Sequence, residues 1–516
     1  MSASDAESLP VQLARTMMTF NEVLAGVECV RRAGPNANIS SVEYDSRRVV
    51  PGALFVAMRG ETTDGNQYIA KAIELGAAAI VTDSSEALDE TIRRWPETAI
   101  AQVLHGRNAL ALIAANFLRH PERQLKLSGI TGTNGKTTTA FLLDAILNHA
   151  SRKTVLVGTI EYHVAGAILP SPHTTPESRD LLSLFRDGVN AGAKEAVMEV
   201  SSHALEQGRV YGLGFDVAAF TNLTRDHLDF HGTMEHYFAA KRKLFDGSLS
   251  TPPRIAVLNV EDHYGAELAL TAREAGSEIF SYGVGVGEFR AEEVNMAASG
   301  MSFRLQSPIG AVELRTRLTG KVNVYNLLAA SACAVGRGLT LEEVAAGAAS
   351  LTHVPGRFQS VDAGQPFAVI VDYAHTDDAL RNLIAFARDF VKERSGRVIT
   401  LFGCGGDRDR TKRPLMGKAA GEGSDFVVLT SDNPRSEDPE AILRDVLPGL
   451  EAANAKYVTE VDRAAAIRLA IDKARAGDIV LLAGKGHEKT QMLRHGTIPF
   501  DDVGAASNYL RKGVRA

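Results

Sequence analysis

The chain has few cysteines, a single tryptophan and no long apolar run. Its three cysteines, Cys29, Cys333 and Cys404, have no paired spacing, so the sequence indicates neither a disulfide framework nor a thiolate zinc site. It has no run of about 18 apolar residues, and its N-terminus is acidic and polar, so we expect no membrane span, no signal peptide and a cytoplasmic location. Positive charge is not in excess either. The net charge of -6 argues against a nucleic-acid partner.

The chain does have the length and composition of a globular protein with several domains. Hydrophobic residues make up 45% and charged residues 23% of its 516 residues. A length of about 150 residues per domain predicts three domains. One candidate domain boundary lies where the helical pattern of 109–118 ends before a proline. A second lies at 353–358, where an alanine-rich stretch is followed by new strands. We therefore predict domains at 1–121, 122–354 and 355–516.

A glycine-rich loop between a strand and a helix is the most informative motif. The apolar run 125–130 predicts the strand, and the pattern of 141–147 predicts the helix. Between them, glycines let the backbone approach a polyphosphate, Lys136 would reach the terminal phosphates, and the Thr137 hydroxyl would bind Mg²⁺. The spacing is G-x-x-G-x-x-G-K-T, which departs from the standard one, and a tight turn with a solvated lysine is the alternative. We interpret the loop as a nucleoside-triphosphate site.

Strand-like and helix-like segments alternate in the middle and last blocks, which predicts an α/β fold with parallel sheets. In such sheets ligands bind at the carboxyl ends of strands. The apolar runs end in polar or glycine-rich clusters at seven such points: 132–137, 198–203, 220–227, 371–375, 403–408, 430–435 and 484–488. We therefore expect two rims of strand ends to face each other around one active site.

Two polar clusters in the middle block are candidate metal ligands. Glu199 closes an apolar strand, where a phosphate-loop enzyme places a carboxylate for Mg²⁺, and Thr137 would complete the set. A solvated glutamate at a strand end is the alternative. The segment 225–231, followed by His236, could be a zinc site, but no H-E-x-x-H accompanies it. We interpret His227 as lying beside the magnesium of the nucleotide.

Two clusters in the last block bear on substrate choice. Arg435 follows Asp432, Asn433 and Pro434, and its guanidinium is a fork that matches a carboxylate. Pairing of this arginine with a neighbouring acid, Glu437 or Asp438, is the alternative. The loop 403–406 is a poor match to a dinucleotide-binding motif, so we do not expect NAD.

Seven motifs together resemble the Mur ligase family, and they occur in the family's order. They are G-T-N-G-K-T-T, M-E-V-S-S-H, T-N-L-T-R-D-H-L-D-F-H-G, N-V-Y-N-L-L-A-A, P-G-R-F, V-D-Y-A-H-T and G-K-G-H-E. Within the family, D-N-P-R at 432–435 is similar to the pattern of the members that add meso-diaminopimelate as the third residue of the peptidoglycan stem peptide.

The resemblance implies a fold and an activity. The fold would have a smaller N-terminal α/β domain that binds the UDP-linked substrate, a central parallel sheet like that of P-loop ATPases, and a C-terminal Rossmann-like domain that binds the amino acid. The enzyme would be a monomer that uses ATP and Mg²⁺. The D-glutamate carboxylate of UDP-N-acetylmuramoyl-L-alanyl-D-glutamate would attack the γ-phosphate, and the amine of diaminopimelate would then displace phosphate from the acyl phosphate.

The resemblance also implies roles for individual residues. The residues implied for ATP binding are Gly132, Thr133, Asn134, Gly135, Lys136, Thr137, Thr138, Asn323, Arg357 and Asp372. Those implied for the UDP-linked substrate are Tyr44, Ser46, Glu61, Thr62, Thr63, Thr174, Thr175, Ser201, Gln207 and Arg209. Those implied for diaminopimelate are Arg408, Asp432, Asn433, Pro434, Arg435, Gly484 and Glu488. The implied catalytic residues are Lys136, Lys241, His227 and Glu199, and the implied metal ligands are Thr137, Glu199, His227 and Lys241 as a carbamate.

Lys241 and Asp377 need separate comment. By composition alone Lys241 is a lysine on a helix surface, whereas the resemblance implies N6-carboxylysine, which would give Mg²⁺ an anionic oxygen ligand instead of a repelling ammonium. Asp377 stands where the family often has proline. A lysine-adding or folylpolyglutamate-type ligase, and a regulatory phosphate-loop ATPase module, are the alternative functions.

Overall fold

The computed structural model describes residues 17–60, 63–297, 300–392 and 395–513. These residues form two compact units. The first consists of the N-terminal part of the chain up to Leu125 together with two later segments, Pro176–Val189 and Gln207–Leu213, and the second contains the rest. No described helix is both long enough and apolar enough to cross a membrane.

The first unit is built on a five-stranded sheet with the order β2-β7-β6-β5-β4. Strands β4 to β7 are parallel, and β2 is antiparallel at one edge. Its apolar strands, such as A-L-F-V-A at 53–57, are buried along their whole length, as expected for a sheet covered on both faces. The N-terminal elements are β1 (Met18–Thr19), α1 (Phe20–Val23), β2 (Cys29–Ala33), β3 (Asn38–Ile39), β4 (Ser41–Glu43), β5 (Ala53–Ala57), α2 (Ile69–Glu74), β6 (Ala79–Thr82), α3 (Ser85–Arg94), β7 (Ala99–Val103) and α4 (Gly106–Phe117).

The middle of the chain forms an eleven-stranded sheet with the order β11-β10-β9-β12-β8-β13-β14-β15-β16-β17-β18. The strands from β9 to β16 in this order are parallel, and antiparallel strands extend both edges. The strands are β8 (Lys126–Thr131), β9 (Thr154–Val157), β10 (Glu161–Val164), β11 (Ala167–Pro170), β12 (Glu195–Glu199), β13 (Val217–Phe220), β14 (Ile255–Asn259), β15 (Glu278–Gly283), β16 (Phe289–Ala297), β17 (Gly300–Ser307) and β18 (Gly310–Thr316).

The helices of the middle part include α5, which follows the phosphate loop. It packs against α11 and α12, and the side chains between them form the core that includes Leu143, Ile146, Leu327 and Val344. The helices are α5 (Lys136–His149), α6 (Ser178–Asn190), α7 (Ser202–Glu206), α8 (Leu228–His231), α9 (Met234–Arg242), α10 (His263–Glu274), α11 (Lys321–Gly336) and α12 (Leu341–Ser350).

The C-terminal part forms a six-stranded sheet with the order β19-β20-β24-β21-β22-β23, in which all strands but β19 are parallel. Its elements are β19 (Gln359–Ser360), β20 (Ala368–Asp372), α13 (Asp377–Lys392), β21 (Val398–Phe402), α14 (Lys412–Gly423), β22 (Phe426–Thr430), α15 (Pro439–Ala452), β23 (Tyr457–Glu460), α16 (Arg463–Lys473), β24 (Ile479–Ala483), β25 (Thr490–Leu493), β26 (Gly496–Pro499) and α17 (Asp502–Gly513). The sequence prediction of an α/β fold with parallel sheets is confirmed; the boundaries at 121 and 354 stay predictions.

Asp377 fits its position at the start of a helix. It is the first residue of α13, where proline is common because the amide there has no partner within the helix. An acidic residue is also favourable in the first turn because its negative charge lies near the positive end of the helix dipole. Asp377 accepts a hydrogen bond from Arg381 one turn later, at 3.0 Å. Although Asp377 departs from the family pattern, it is therefore a favourable residue for the start of a helix.

Candidate active site

The phosphate loop lies between the end of β8 and the start of α5. Gly132 and Gly135 adopt φ of +141° and +89°, in the region that favours glycine. A Cβ on Gly132 would lie 1.9 Å from Oγ1 of Thr221, and one on Gly135 would lie 2.4 Å from Oδ1 of Asn326. Both positions therefore need glycine for conformation and for space. The free amides at the start of the 14-residue α5 are groups that can bind an anion.

Lys136 holds its ammonium over the loop. Its Nζ donates hydrogen bonds to the carbonyl oxygens of Gly132 at 2.9 Å and Thr133 at 2.8 Å. Burial lowers the pKa of Lys136, and the charges of Glu199 and Asp226 oppose that shift. The side chain is thus bound to the loop, and the alternative of a solvated lysine at a turn is wrong. Thr138, the next predicted nucleotide contact after Thr137, is buried in the first turn of α5.

Glu199 and Thr137 meet at the carboxyl ends of two paired strands. Strand β12 is paired with β8 so that Glu199 lies beside Ile130, just before the phosphate loop. Oγ1 of Thr137 donates to Glu199 at 2.9 Å, and Thr159 donates to the same carboxylate from its amide at 2.8 Å and its hydroxyl at 3.1 Å. Glu199 is 0% exposed, so the alternative of a solvated glutamate is wrong.

Lys241, near the C-terminal end of α9, is buried and not a surface lysine. Its exposed fraction is 1%, and its Nζ donates to the carbonyl of Gly132 at 2.8 Å. Burial and the nearby charge of Lys136 lower its pKa well below its ordinary value. The Nζ also lies 4.6 Å from the ring centroid of Tyr237. The composition-based interpretation was wrong because the helix face cannot be assigned without the neighbouring elements.

His227 lies in a cluster of rings at the start of α8, with φ of +54°. Its Nε2 is 3.3 Å from a carboxylate oxygen of Asp226, and its ring centroid is 4.9 Å from that of His203. Burial lowers the pKa of His227 to about 3, although Asp226 acts in the opposite direction. The lowered pKa favours the neutral imidazole, which can offer a lone pair to a metal. Among the described residues, no group of three His, Cys, Asp or Glu side chains is arranged to bind a metal by itself.

Within the second unit, side-chain hydrogen bonds join the phosphate loop to the loop before β19 and to the first turn of α13. Arg357 donates to Oγ1 of Thr137 at 3.2 Å, and Asn134 donates to Asp378 at 3.1 Å. In addition, Asp226 is 3.8 Å from the Nε2 of His375. Residues from both predicted rims therefore lie in one region of this unit.

Of the residues expected near adenosine, Asp372 and Arg357 lie near the end of β20, and Asn323 lies at the start of α11. Asp372 ends β20 and accepts from the amides of Phe358 at 2.7 Å and Ala374 at 2.8 Å. Arg357 lies over the ring of Tyr373, with 4.5 Å between the guanidinium carbon and the ring centroid. Asn323 is buried in the first turn of α11 and donates to the carbonyl of Thr319 at 2.7 Å. The Asn323 side chain is thus bound to the backbone just before its own helix.

The turn expected to bind the amino acid follows β22. Asp432, Asn433 and Pro434 are buried, whereas Arg435 is partly exposed with φ of +53°. The Nη1 of Arg435 donates to the carbonyl of Gly406 at 2.7 Å. The two acids proposed as alternative partners bind other arginines: Glu437 binds Arg413, and Asp438 binds Arg444.

The other two strand-end loops lie next to this turn. Gly484 has φ of +112°, and a Cβ there would lie 2.7 Å from Oδ2 of Asp432. Glu488 accepts a hydrogen bond from Nδ2 of Asn433 at 2.8 Å. Arg408 is exposed and donates to the carbonyl of Asp407 at 3.1 Å. The predicted clusters 403–408, 430–435 and 484–488 therefore lie next to one another.

The residues expected to bind the UDP-linked substrate are divided between the two units. In the first unit, the Tyr44 hydroxyl donates to Asp180 at 2.5 Å, and Arg209 lies 3.4 Å from Glu177. Ser46 begins a 3₁₀ turn, and the carbonyl of Thr63 accepts from Gly60 at 2.9 Å. Gln207 also lies in the first unit. Glu61 and Thr62 lie outside the described residues.

In the second unit, Thr174, Thr175 and Ser201 lie next to the Glu199 strand. The Thr175 hydroxyl donates to the carbonyl of Glu199 at 2.9 Å and accepts from the amide of Ser201 at 3.1 Å. The hydroxyls of Thr174 and Thr159 are 3.0 Å apart. Thr174 is therefore connected through Thr159 to the Glu199 carboxylate, whereas Thr175 is bound to the Glu199 backbone.

Sequence reasoning did not single out three residues that the structure places in the site. Thr159 binds Glu199, Asp226 lies between two histidines, and Lys485 is buried beneath the amino-acid turn. Asp226 and Lys485 belong to motifs that were recognised, so their charge at a strand end was the available signal. Thr159 follows a strand without a distinctive motif, and no local signal identified it.

Three family models match successive parts of the chain. The Mur ligase family catalytic domain matches residues 38–118, the Mur ligase middle domain matches 130–334, and the Mur ligase glutamate ligase domain matches 356–486. The chain belongs to the Mur ligase family.

The chain is similar to proteins with more specific names. It is 53% identical over 498 residues, which are 96% of this chain and 98% of the relative, to a protein of Solibacter usitatus named UDP-N-acetylmuramoyl-L-alanyl-D-glutamate--2,6-diaminopimelate ligase. A solved structure of a ligase with the same name has 31% identity and a TM-score of 0.67, and covers 97% of this chain and 100% of its own. A MurF ligase from Thermotoga maritima in complex with ADP shares the fold, with 19% identity, a TM-score of 0.61 and coverage of 92% and 98%.

Proposed function

We propose that this chain is an ATP-dependent amide ligase that joins meso-2,6-diaminopimelate to UDP-N-acetylmuramoyl-L-alanyl-D-glutamate in the synthesis of the peptidoglycan precursor. The proposal rests on the approach of two strand-end clusters within one unit, where Asp226 lies 3.8 Å from Nε2 of His375, beside the bond that Arg357 donates to Thr137 of the phosphate loop at 3.2 Å. A ligase of this kind needs ATP and an amine within reach of one carboxylate. The near-full-length similarity to ligases of that name supports the same substrates.

The first chemical step needs neutralisation of negative charge. The D-glutamate carboxylate would attack the γ-phosphate, forming an acyl–phosphate bond and breaking the bond to ADP. Lys136 and the amides at the start of α5 would bind the phosphate oxygens and stabilise the charge that develops. In the second step the diaminopimelate amine would form the amide bond, and phosphate would leave as the amine gives up its proton.

The donor groups around the phosphate loop fit Mg²⁺. Glu199 is a fully buried carboxylate whose neighbours are hydroxyls and an amide, and a hard cation prefers such oxygen ligands. We propose Thr137, Glu199, His227 and the carbamate form of Lys241 as the residues that would hold it. When bound, Mg²⁺ would offset the charge of the phosphates.

We propose that Lys241 carries a carboxyl group on Nζ. The amine nitrogen would attack carbon dioxide, form an N–C bond and release one proton to solvent. The carbamate would turn the repulsion between Lys241 and Lys136 into attraction, and the side chain is buried with its Nζ 2.8 Å from a carbonyl of the loop. The low pKa favours the neutral amine that this reaction needs.

Carbon-13 NMR with labelled bicarbonate tests this modification. We expect a carbamate resonance in the unsubstituted protein, its loss in Lys241→Met, and its retention in the control Lys243→Met, whose lysine binds Glu206 on the surface. Full activity together with a bare amine in a crystal of the protein would contradict the proposal.

The turn after β22 supports diaminopimelate over lysine as the substrate. Diaminopimelate has a second carboxylate at its far end, and lysine does not. We propose that Arg435 and Arg408 bind this carboxylate, with Asp432, Asn433, Pro434, Gly484 and Glu488 completing the pocket. A guanidinium fork can bind a carboxylate through two parallel hydrogen bonds.

We propose that the nucleotide contacts are Gly132 to Thr138 with Asn323, Arg357 and Asp372. For the UDP-linked substrate we propose Tyr44, Ser46, Glu61, Thr62, Thr63, Thr174, Thr175, Ser201, Gln207 and Arg209. We also propose a monomer located in the cytoplasm, where ATP is available. Sedimentation equilibrium tests the monomeric state.

Phosphate release measured with a panel of amino acids tests the proposed function. We expect release to require the UDP-muramoyl dipeptide and meso-diaminopimelate together. Equal turnover with L-lysine would contradict the proposed amino acid, and ATP hydrolysis independent of any amino acid would support a regulatory ATPase module instead.

A further inference from the structure

Lys485 is a buried lysine that connects two loops of the amino-acid pocket. It follows β24, its side chain is 0% exposed, and its Nζ donates to Glu488 at 2.6 Å and to Asn433 at 3.1 Å. Asn433 in turn donates to the same oxygen of Glu488 at 2.8 Å. The three side chains therefore form a closed set of hydrogen bonds, which we call the Lys485 triad.

The bonds of the Lys485 triad fix the orientation of the Asn433 amide. Its Oδ1 accepts from Nζ of Lys485 at 3.1 Å and from the amide of Met492 at 2.9 Å. Its Nδ2 must then point to Glu488, because that carboxylate can only accept. The 432–435 turn is thereby tied to the 484–488 loop and to the hairpin that starts at Thr490.

The same bonds give the two carboxylate oxygens of Glu488 different roles. Oε2 receives the donors of both Lys485 and Asn433, whereas Oε1 takes part in neither bond. The Glu488 side chain is 27% exposed, so it is not fully enclosed by the protein. Because both donors bind Oε2, the other oxygen, Oε1, points in a fixed direction.

Resting on the proposed function, we infer that Lys485 is a positioning residue that aims Glu488 at the far ammonium of diaminopimelate and so determines selectivity for a diamino acid. Diaminopimelate has an ammonium and a carboxylate at each end, and only one amine reacts. Recognition of the other end therefore needs a fixed anion as well as a cation. Lys485 does not need to touch the substrate.

Loss of the lysine would release this arrangement. Without the Lys485 donor, Glu488, which is 27% exposed, would be free to turn toward water and would no longer point at the substrate. A binding group is effective only when its supporting side chains hold it close to the productive geometry. The effect should fall on recognition of the far ammonium and leave the ATP site unchanged.

The experiment compares meso-diaminopimelate with L-2-aminopimelate, which keeps the reacting amine and both carboxylates but lacks the far ammonium. The readout is the ratio of the two KM values, measured for the full chain and for Lys485→Met. For the unsubstituted protein we expect L-2-aminopimelate to have a KM about tenfold or more higher, as for the loss of a charged hydrogen bond. In Lys485→Met we expect the ratio to fall to about twofold or less, with the KM for ATP unchanged.

Two further variants separate positioning from general loss of structure. Lys418→Met removes a lysine from a surface pair with Glu422 in α14, at 52% exposure, and should keep the ratio of the unsubstituted protein. Lys485→Gln keeps a donor without the charge, and its ratio should lie between the other two. If Lys485→Met does not fold, the ratio for Lys485→Gln decides the question.

A double variant tests whether Lys485 acts through Glu488. We expect Glu488→Gln alone and Lys485→Met/Glu488→Gln to have the same low ratio, because the second change removes nothing more. An unchanged ratio in both Lys485 variants, or a further fall in the double variant, would overturn the inference. Absence of any diaminopimelate-dependent turnover in the unsubstituted protein would instead remove the proposed function, and this inference with it.

Discussion

Replacement of Arg435 separates its backbone conformation from its role in substrate binding. The residue has φ of +53°, a conformation that costs a residue with a side chain roughly 1–2 kcal/mol. Its guanidinium donates to the carbonyl of Gly406 at 2.7 Å. Arg435→Ala removes this bond and keeps the backbone strain, whereas Arg435→Gly removes both.

The two replacements should therefore differ in stability and agree in activity. Glycine gains freedom in the unfolded chain, which offsets part of the relieved strain, so Arg435→Gly should be more stable than Arg435→Ala by roughly 0.5–1 kcal/mol. Both variants would lose the proposed charge-assisted bond to the substrate carboxylate, worth about 1.5–3 kcal/mol. The KM for diaminopimelate should rise roughly tenfold to hundredfold in both.

Urea unfolding and amino-acid-dependent phosphate release measure these two effects. The KM for ATP and that for the UDP-linked substrate should stay within about twofold, because the loss is confined to the amino-acid pocket. Equal stability of the two variants would refute the strain argument. An unaltered KM for diaminopimelate would refute the assignment of Arg435 to the far carboxylate.

Three other perturbations give expected outcomes. In Gly132→Ala, the new Cβ would lie 1.9 Å from Oγ1 of Thr221, so we expect affinity for a fluorescent ATP analogue to fall more than about tenfold; unchanged affinity would show that the loop is not the nucleotide site. Burial opposes protonation of His163, but bonds to Asp144 and Glu161 raise its pKa, so its contribution to stability is fully present below pH about 6.5 and is lost as pH rises through the raised value. The melting temperature of His163→Gln should accordingly fall below that of the unsubstituted protein at pH 6 and approach it at pH 9, and a pH-independent difference would contradict this. Treatment with EDTA should abolish phosphate release and Mg²⁺ should restore it, whereas restoration by Zn²⁺ alone would support the zinc interpretation.

The parallel sheets and the polar clusters at strand ends could be predicted from the sequence. Hydrophobic periodicity, glycine spacing and charge can all be recognised within a short stretch of residues. The predicted strand at 125–130 is β8, and Glu199 and Asp372 do end strands. The antiparallel strands at both edges of the large sheet were not predicted, although each pairs with its neighbour in sequence through a short connection. The outer strands bury few residues, and strand preference depends on such packing, so their local signal is weak.

Burial of individual polar residues could not be predicted, because it depends on partners that are distant in the sequence. Lys241 was interpreted from its composition as a surface residue, and only the packing of α9 against the loop reveals its contact with Gly132. Lys485 stands between two glycines, and its burial depends on Asn433, which is 52 residues earlier in the chain. Charge at these positions was visible, but the partners were not.

The return of residues 176–189 and 207–213 to the first unit has a consequence for synthesis on the ribosome. That unit cannot be completed when residue 125 is made, and it has to wait for a further 88 residues, from 126 to 213. At about 5–20 residues per second this delay is roughly 4–18 s. Asp180 is made 55 residues after Leu125, so for roughly 3–11 s the nascent N-terminal sheet lacks the carboxylate that accepts hydrogen bonds from Tyr44 and Arg48 in the folded protein.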